Sequence, residues 1–265
     1  MRRFLLFALA FFVAHLVSAQ TTKVLIRTSL GNMTAILYDE TPKHRDEFIR
    51  LVKAKHYDGT LFYRSVKNFV IQGGSSDSRN AKPGQHIGYG EEAINIDSEF
   101  SKKRFHQFGA LCAPRQPDKI NVFKTSDISQ FYIVRGSIYT DEMLDKIENS
   151  VNVPIKKHIR ELYFYPYRDE LARLKETDKK AFNALATEIK EKMAFEYSIS
   201  AYKEFTPEQR EAYKTVGGTP ELDNEYTVFG QVVEGLDVLR KINELPVDRN
   251  DRPTTDVKIY IEIIE

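Results

Sequence analysis

Residues 62–74 read FYRSVKNFVIQGG, and this stretch sets our expectation for the fold. Its aromatic and β-branched residues favour extended structure, and the closing pair Gly73-Gly74 favours a tight loop. We therefore expect two short strands followed by a turn. By residue type alone, Arg64 would be a surface arginine on a strand and Gln72 a residue of the turn.

Strand patterns continue on both sides of this stretch. Strands are predicted at residues 24–38 as a hairpin, and at residues 109–113, 130–134, 228–233 and 257–263. The hairpin turn is expected at Gly31-Asn32. One helix is predicted after Thr41-Pro42, with Thr41 as its N-cap, and another at residues 236–245.

Between residues 139 and 217 the spacing of apolar residues changes from two to about three and a half, which is typical of helices. Pro154 and Pro166 are expected to interrupt this helical stretch. Thr206 and Gln209 have the capping-box spacing that opens a further short helix. Strands that bracket a helical stretch indicate a β barrel with an inserted helical subdomain.

The first 19 residues have the order of a secretory signal peptide. Arg2 and Arg3 precede an unbroken apolar run at residues 4–14, and small residues follow up to Ala19. The run is shorter than the roughly 20 apolar residues that usually cross a bilayer. We expect cleavage after Ala19 and a periplasmic or secreted protein that makes no membrane contact afterwards.

The composition of the 265-residue chain excludes several classes of function. Lys and Arg number 39 against 38 Asp and Glu, so the chain lacks the basic excess typical of nucleic-acid binding. Cys112 is the single cysteine, and no paired Cys or His has the spacing of a metal site. We expect neither metal nor cofactor. The absence of tryptophan argues against a sugar-binding barrel.

Four blocks of sequence, in the same order, resemble the cyclophilin family of peptidyl-prolyl cis-trans isomerases. They are residues 62–74, GALCAPR at 109–115, SQFYI at 129–133, and TPELD at 219–223 with VFGQV at 228–232. The resemblance implies a mainly β fold with helices: a closed eight-stranded antiparallel barrel capped by two helices. The barrel would comprise residues 20–138 and 218–265. The helical insertion at 139–217 resembles one found in exported bacterial cyclophilins.

The resemblance also implies the chemistry. An Xaa-Pro bond isomerises over a barrier of about 18–20 kcal/mol because the amide loses conjugation when it twists. No bond breaks, so a catalyst needs only to bind the twisted amide more tightly than the planar isomers. Arg64 would donate to the proline nitrogen as its lone pair localises. Gln72 would orient Arg64.

The resemblance also implies a set of substrate-binding residues. They are Phe69, Val70, Ala113, Pro114, Arg115, Gln130, Tyr132, Glu221, Leu222 and Tyr226. Of these, Phe69, Val70, Tyr132 and Leu222 would form the apolar socket for the proline ring. Gln130, with Gln72, would orient Arg64 and the peptide backbone. Glu221 stands where the family commonly has tryptophan or histidine, Tyr226 where histidine is common, and Val70 where methionine is common. A carboxylate against an apolar macrocycle is unfavourable, so we expect cyclosporin to inhibit weakly.

Two functions fit this pattern. The first is an exported prolyl isomerase that acts on proline-containing peptides and on unfolded or partly folded proteins. The alternative is a peptide-binding chaperone module on a cyclophilin barrel with weak catalysis, but a pure binder would not need Arg64. The apolar stripe with Phe182, Ile189 and Met193 either packs internally or stays exposed for a partner or for self-association. The histidines are scattered and receive no catalytic role.

Overall fold

The computed structural model describes residues 22–90 and 93–265, so the predicted signal peptide lies outside the described residues. Within that range the strands are β1 (Lys23–Thr28), β2 (Gly31–Leu37), β3 (Phe62–Val66), β4 (Val70–Gly73), β5 (Asn95–Ile96), β6 (Ala110–Ala113), β7 (Ser126–Asp127), β8 (Phe131–Val134), β9 (Thr227–Glu234) and β10 (Tyr260–Ile263). The helices are α1 (Pro42–Lys53), α2 (Asp141–Tyr163), α3 (Arg168–Thr177), α4 (Lys179–Ile199), α5 (Pro207–Thr215) and α6 (Leu236–Asn243).

Eight of these strands form one antiparallel sheet in the order β10-β1-β2-β9-β6-β8-β4-β3, and β5 pairs separately with β7. The sheet curls until its two edges meet. The Phe62 N–H donates to the Val257 carbonyl at 3.0 Å, and the Ile259 N–H donates to the Thr60 carbonyl at 2.8 Å. These bonds satisfy backbone groups that an open edge would leave unpaired. The predicted eight-stranded antiparallel barrel is confirmed.

Helices α1 and α6 cap the barrel, as predicted. Each presents one apolar face to a single interior cluster, with Phe48 and Leu51 from α1 and Leu239 and Ile242 from α6 among its members. A stripe of this kind buries one side of a surface helix and leaves the other in water. The last residue of α6, Asn243, also holds the β3–β4 hairpin, because its Nδ2 donates to the Val66 carbonyl at 2.8 Å.

Two local predictions were wrong. The first hairpin turns at Ser29-Leu30 rather than Gly31-Asn32, since Thr28 pairs with Gly31. The Thr28 side chain fixes this earlier turn by donating to the Gly31 carbonyl at 2.7 Å.

The other concerns Pro154, which lies inside α2 without ending it. Packing around the buried Leu144 and Ile159 on either side outweighs the local cost of proline.

Thr41 is the N-cap residue of α1, as predicted. Among the described residues its side chain makes no capping bond. The Glu99 carboxylate instead accepts the N–H groups of Lys43 and His44.

Helices α2 to α5 form a helical segment between β8 and β9 that lies within the predicted range 139–217. The chain leaves the barrel and returns to it at adjacent points, where Ser137 and Gly218 exchange two backbone hydrogen bonds of 3.0 and 2.9 Å. A Cβ on Gly136 would lie 2.3 Å from the Gly218 Cα, so this crossing requires glycine. Among the described residues, no helix combines the length and apolarity needed to span a bilayer.

Candidate active site

The strand register places three predicted site residues in one row. Arg64 on β3 pairs with Gln72 on β4, and Gln72 pairs with Tyr132 on β8. Tyr132 in turn pairs with Cys112 on β6. Directly paired residues in a sheet project from the same face. The row therefore brings together side chains that are up to 68 positions apart in the sequence.

The two faces of these strands have different surroundings. Residues 71, 111, 131 and 133 point into the interior cluster. Their neighbours Val70, Cys112, Tyr132 and Val134 form a second buried cluster, against which Phe69, Leu222 and Tyr226 pack. The second cluster lies under the row that contains Arg64. The site is thus built on the outer face of the barrel wall.

A pocket of about 210 Å³ lies over this cluster. Its lining consists of Arg64, Phe69, Val70, Gln72, Pro114, Arg115, Tyr132, Leu222 and Tyr226. All of these were candidates from the sequence. The apolar side chains form the wall, and the guanidinium of Arg64 supplies positive charge.

Three predicted residues lie outside the lining. Ala113 is fully buried in the interior cluster, because strand alternation turns it to the inner face together with Leu111. Glu221 is exposed, and its Oε2 accepts a 3.1 Å hydrogen bond from Tyr139. Gln130 is buried behind the pocket wall. None of these three side chains belongs to the pocket lining.

Arg64 contacts a loop that the sequence analysis did not assign to the site. Its Nε lies 3.5 Å from Asp251 Oδ2, with 39% of the Arg64 side chain and 46% of the Asp251 side chain exposed. An ion pair this exposed contributes about 0–1 kcal/mol. Asp251 therefore positions Arg64 loosely and leaves the guanidinium able to turn towards a bound amide.

Gln72 was expected to orient Arg64, but its side chain donates a hydrogen bond to Tyr63. The Gln72 Nε2 donates to Tyr63 Oη at 2.5 Å, and the Tyr63 hydroxyl donates to Gln130 Oε1. Burial raises the pKa of the Tyr63 phenol, which keeps it a neutral donor. Tyr63 thus fixes both amides, and Gln130 acts on the pocket through Tyr63 and Gln72.

Arg115 is held in place on the rim of the pocket. Its Nε donates to the Glu225 carbonyl at 2.6 Å, and its Nη2 donates to Glu225 Oε2 at 2.8 Å. Lys124 Nζ donates to the same carboxylate at 2.7 Å. The guanidinium also lies 4.9 Å from the centre of the Tyr226 ring. Because its charge is paired in this way, the Arg115 side chain forms part of the pocket wall. Arg64 carries the more accessible positive charge.

A buried polar network backs Tyr132. His106 Nε2 lies 2.9 Å from the Tyr132 hydroxyl, and His106 Nδ1 donates to Asp223 Oδ1 at 2.9 Å. Tyr213, on α5 of the helical segment, donates to Asp223 Oδ2 at 2.6 Å. Burial raises the pKa values of Tyr132 and Tyr213, so both phenols stay protonated. The network connects the pocket floor to the helical segment.

The family profile described as "Cyclophilin type peptidyl-prolyl cis-trans isomerase/CLD" matches residues 23–262. The chain belongs to the cyclophilin family. It is a cyclophilin-type peptidyl-prolyl cis-trans isomerase, as the four sequence blocks indicated. The match spans the helical segment as well as both parts of the barrel.

Similar proteins agree with this assignment. A protein assigned as a peptidyl-prolyl cis-trans isomerase in Staphylococcus saprophyticus is 28% identical over 252 residues, covering 94% of this cyclophilin and 95% of the relative. A protein assigned as a bifunctional phosphatase/peptidyl-prolyl cis-trans isomerase in Streptococcus pyogenes is 30% identical over 246 residues. That match covers 92% of this chain and 38% of the longer protein.

Solved structures share the fold. A cyclophilin-type peptidyl-prolyl cis-trans isomerase of Cryptosporidium parvum superposes with a TM-score of 0.52 at 18% identity, covering 93% of this chain and 99% of that chain. A second structure of that protein, obtained in the presence of the dipeptide Ala-Pro, superposes with a TM-score of 0.50.

The sequence analysis of this cyclophilin missed Tyr63, His106, Tyr213, Asp223 and Asp251. Tyr63 and Asp223 lie inside the quoted family blocks and could have been selected there as polar residues amid apolar neighbours. His106, Tyr213 and Asp251 lie outside the blocks, and no local pattern connects them. Only the tertiary structure brings His106 and Tyr213 to Asp223.

Proposed function

We propose that this cyclophilin isomerises Xaa-Pro bonds in unfolded or partly folded exported proteins, and that Arg64 stabilises the twisted amide. The observation that carries the proposal is the row of Arg64, Gln72 and Tyr132 beside an apolar pocket of about 210 Å³. A proline ring seated against Phe69 and Leu222 would leave its amide at the mouth of the pocket, next to the guanidinium.

Arg64 suits the electrostatic demand of this reaction. As the amide twists, the nitrogen lone pair localises and becomes a hydrogen-bond acceptor, which it is not in the planar ground state. A guanidinium donor placed there binds the twisted form selectively, and selective binding of this kind raises the rate. Arginine does not lose its charge in proteins, so the step needs no proton transfer.

The fixed surroundings of the pocket support the same role. Tyr63 holds the Gln72 and Gln130 amides, and His106 holds the Tyr132 ring, so neither wall needs to reorganise when substrate binds. Preorganised polar groups stabilise a transition state without paying reorganisation energy during the reaction. The structural neighbour obtained in the presence of Ala-Pro supports a proline-containing peptide as the occupant.

The proposed clients follow from the sequence pattern of residues 1–19, which is typical of export to the periplasm or beyond. Newly exported chains are unfolded, and uncatalysed Xaa-Pro isomerisation takes about 10–100 s at 25 °C. An exported isomerase would shorten this delay.

The test uses the chain from Gln20 onward and two substrates. Exchange spectroscopy of a short Xaa-Pro peptide measures catalysis, and refolding of a proline-limited protein measures action on a whole client. We expect acceleration of both, with loss of both in Arg64→Ala. Acceleration of refolding without peptide exchange, unaffected by Arg64→Ala, would instead support the chaperone alternative.

A further inference from the structure

The helical segment contains a groove larger than the pocket beside Arg64. An apolar groove of about 660 Å³ lies between α3 and α4. Its apolar lining includes Phe164, Leu171, Phe182, Ile189, Met193 and Tyr197. Ile189 and Leu171 are buried at its base, whereas Phe182 and Met193 are only half-buried. The apolar stripe of α4 is therefore only partly covered by the described chain.

The groove has a cationic rim. Arg168, Lys175 and Lys190 contribute to its lining, which contains no carboxylate. Arg168 and Lys175 are seven residues apart on α3, or about 10 Å at the helical rise of 1.5 Å per residue. Within the described ranges, Lys175 and Lys190 have no ion-pair partner within 4.0 Å, whereas Arg168 pairs with its neighbour Asp169 at 3.1 Å. Two positive positions thus lie along the groove rather than at one end.

We propose that this groove binds an extended segment of an unfolded client that carries apolar side chains flanked by acidic residues. The proposal rests on the proposed action on unfolded chains. It adds a second, proline-independent contact on the helical segment. Residues three positions apart in an extended chain point to opposite sides, so two carboxylates that flank two apolar residues can face Lys175 on α3 and Lys190 on α4.

The charge pattern distinguishes this occupant from two others. A fatty acid or similar amphiphile has one charged head and would use a cationic cluster at one end, which separated charges do not provide. A second copy of the chain, paired groove to groove, would set this cationic rim against the same carboxylate-free lining, so its cations would meet no opposite charge there. An acidic, apolar peptide satisfies both the apolar floor and the cationic rim.

The test measures binding of a fluorescein-labelled, proline-free peptide that contains Glu-Leu-Phe-Glu. The protein is the chain from Gln20 onward, and fluorescence anisotropy of the peptide reports binding. Ala194, an exposed residue of the lining, offers a blocking position. We expect Ala194→Glu to weaken binding about tenfold or more by filling the groove with a repelling charge. The matched control is Ala184→Glu, on the exposed part of the same helix outside the lining, and it should leave binding unchanged.

Charge reversal provides an independent test. The double variant Lys175→Glu with Lys190→Glu should bind the peptide more weakly. Lys180→Glu, which changes an exposed lysine outside the lining, should bind it as well as the wild type does. A peptide with lysine in place of both glutamates should bind poorly. All of these variants should keep wild-type exchange rates on a short Xaa-Pro peptide, so loss of groove binding and loss of isomerase activity are measured separately.

Equal binding of the two peptides, or equal binding to the Ala194→Glu and Ala184→Glu variants, would overturn the proposal. So would a wild-type protein that dimerises in sedimentation while Ala194→Glu is monomeric, since a second copy would then occupy the groove. Circular dichroism of each variant confirms that the helices remain folded.

Discussion

The Tyr213 hydroxyl donates a 2.6 Å hydrogen bond to Asp223 Oδ2, and this bond joins helix α5 to the network behind the pocket. Asp223 Oδ1 accepts a hydrogen bond from His106 Nδ1, and His106 Nε2 lies 2.9 Å from the hydroxyl of Tyr132, which lines the pocket. The helical segment is therefore not independent of the barrel, and excision of residues 139–217 would remove a buried part of the site's support.

Tyr213→Phe should reduce catalysis without touching the pocket. Removing one donor to a buried carboxylate costs about 1–3 kcal/mol and loosens Asp223, His106 and then Tyr132. We expect the cost to appear as lower stability and as a several-fold lower kcat/KM for a short Xaa-Pro peptide. Chemical denaturation and exchange spectroscopy measure the two effects.

Tyr57→Phe is the matched control, because Tyr57 is equally buried and donates at 2.6 Å to the Ile128 carbonyl away from this network. Tyr57→Phe should lower the free energy of unfolding. It should leave kcat/KM unchanged once the rates are corrected for the fraction of folded protein. In the Tyr132→Phe background, Tyr213→Phe should have a smaller effect on kcat/KM, since the connection to the pocket is already broken. Additive effects would show that Tyr213 does not act on catalysis through Tyr132.

Glu221→Trp should strengthen inhibition by cyclosporin. Glu221 is an exposed carboxylate bonded to Tyr139 at the pocket's edge, where many family members have tryptophan. The substitution removes a charge and adds apolar area. Because the chain contains no tryptophan, the new indole is also a unique fluorescent reporter of binding. Tight inhibition of the wild type, or no gain in the variant, would show that Glu221 does not control this affinity.

Folding stability should fall as the pH decreases from about 7.5 to about 5, in part because of His44. Burial lowers the pKa of this histidine and outweighs the attraction of Glu99. Its buried Nε2 has no hydrogen-bond partner among the residues that the structure describes, which disfavours the doubly protonated ring. The unfolded chain therefore binds a proton that the folded chain does not. Stability from this group is present above the unfolded pKa and is lost as the pH falls towards the folded pKa.

Denaturant unfolding across this pH range measures the effect. His44→Gln should flatten the pH dependence, whereas His158→Gln, at an exposed position, should leave it unchanged. Some dependence should remain, since burial also lowers the pKa of His56. An unchanged slope in His44→Gln would contradict the assignment.

Local patterns predicted most of the barrel because its strands alternate in polarity and its helices carry apolar stripes. They failed where tertiary packing decides the local structure, as when α2 continues through Pro154. They located the start of α1 at Thr41 but did not identify Glu99 as the acceptor of its first N–H groups. At the site, the family blocks supplied the pocket lining. The alternation of side chains along residues 109–115 could have excluded Ala113 from the pocket. Leu111 is a core residue, and Ala113, two positions later, points to the same inner face.

The central claim is that Arg64 acts mainly on the twisted amide. The most direct test measures kcat and KM separately for Arg64→Ala and Arg64→Lys, using a short Xaa-Pro peptide. Loss of a preorganised donor costs about 2.7–4 kcal/mol, so we expect kcat to fall about 10²–10³-fold in Arg64→Ala, with KM nearly unchanged. Arg64→Lys should recover little, because an ammonium lacks the planar fork of the guanidinium. An unchanged kcat with a raised KM would contradict the account, since Arg64 would then only bind substrate.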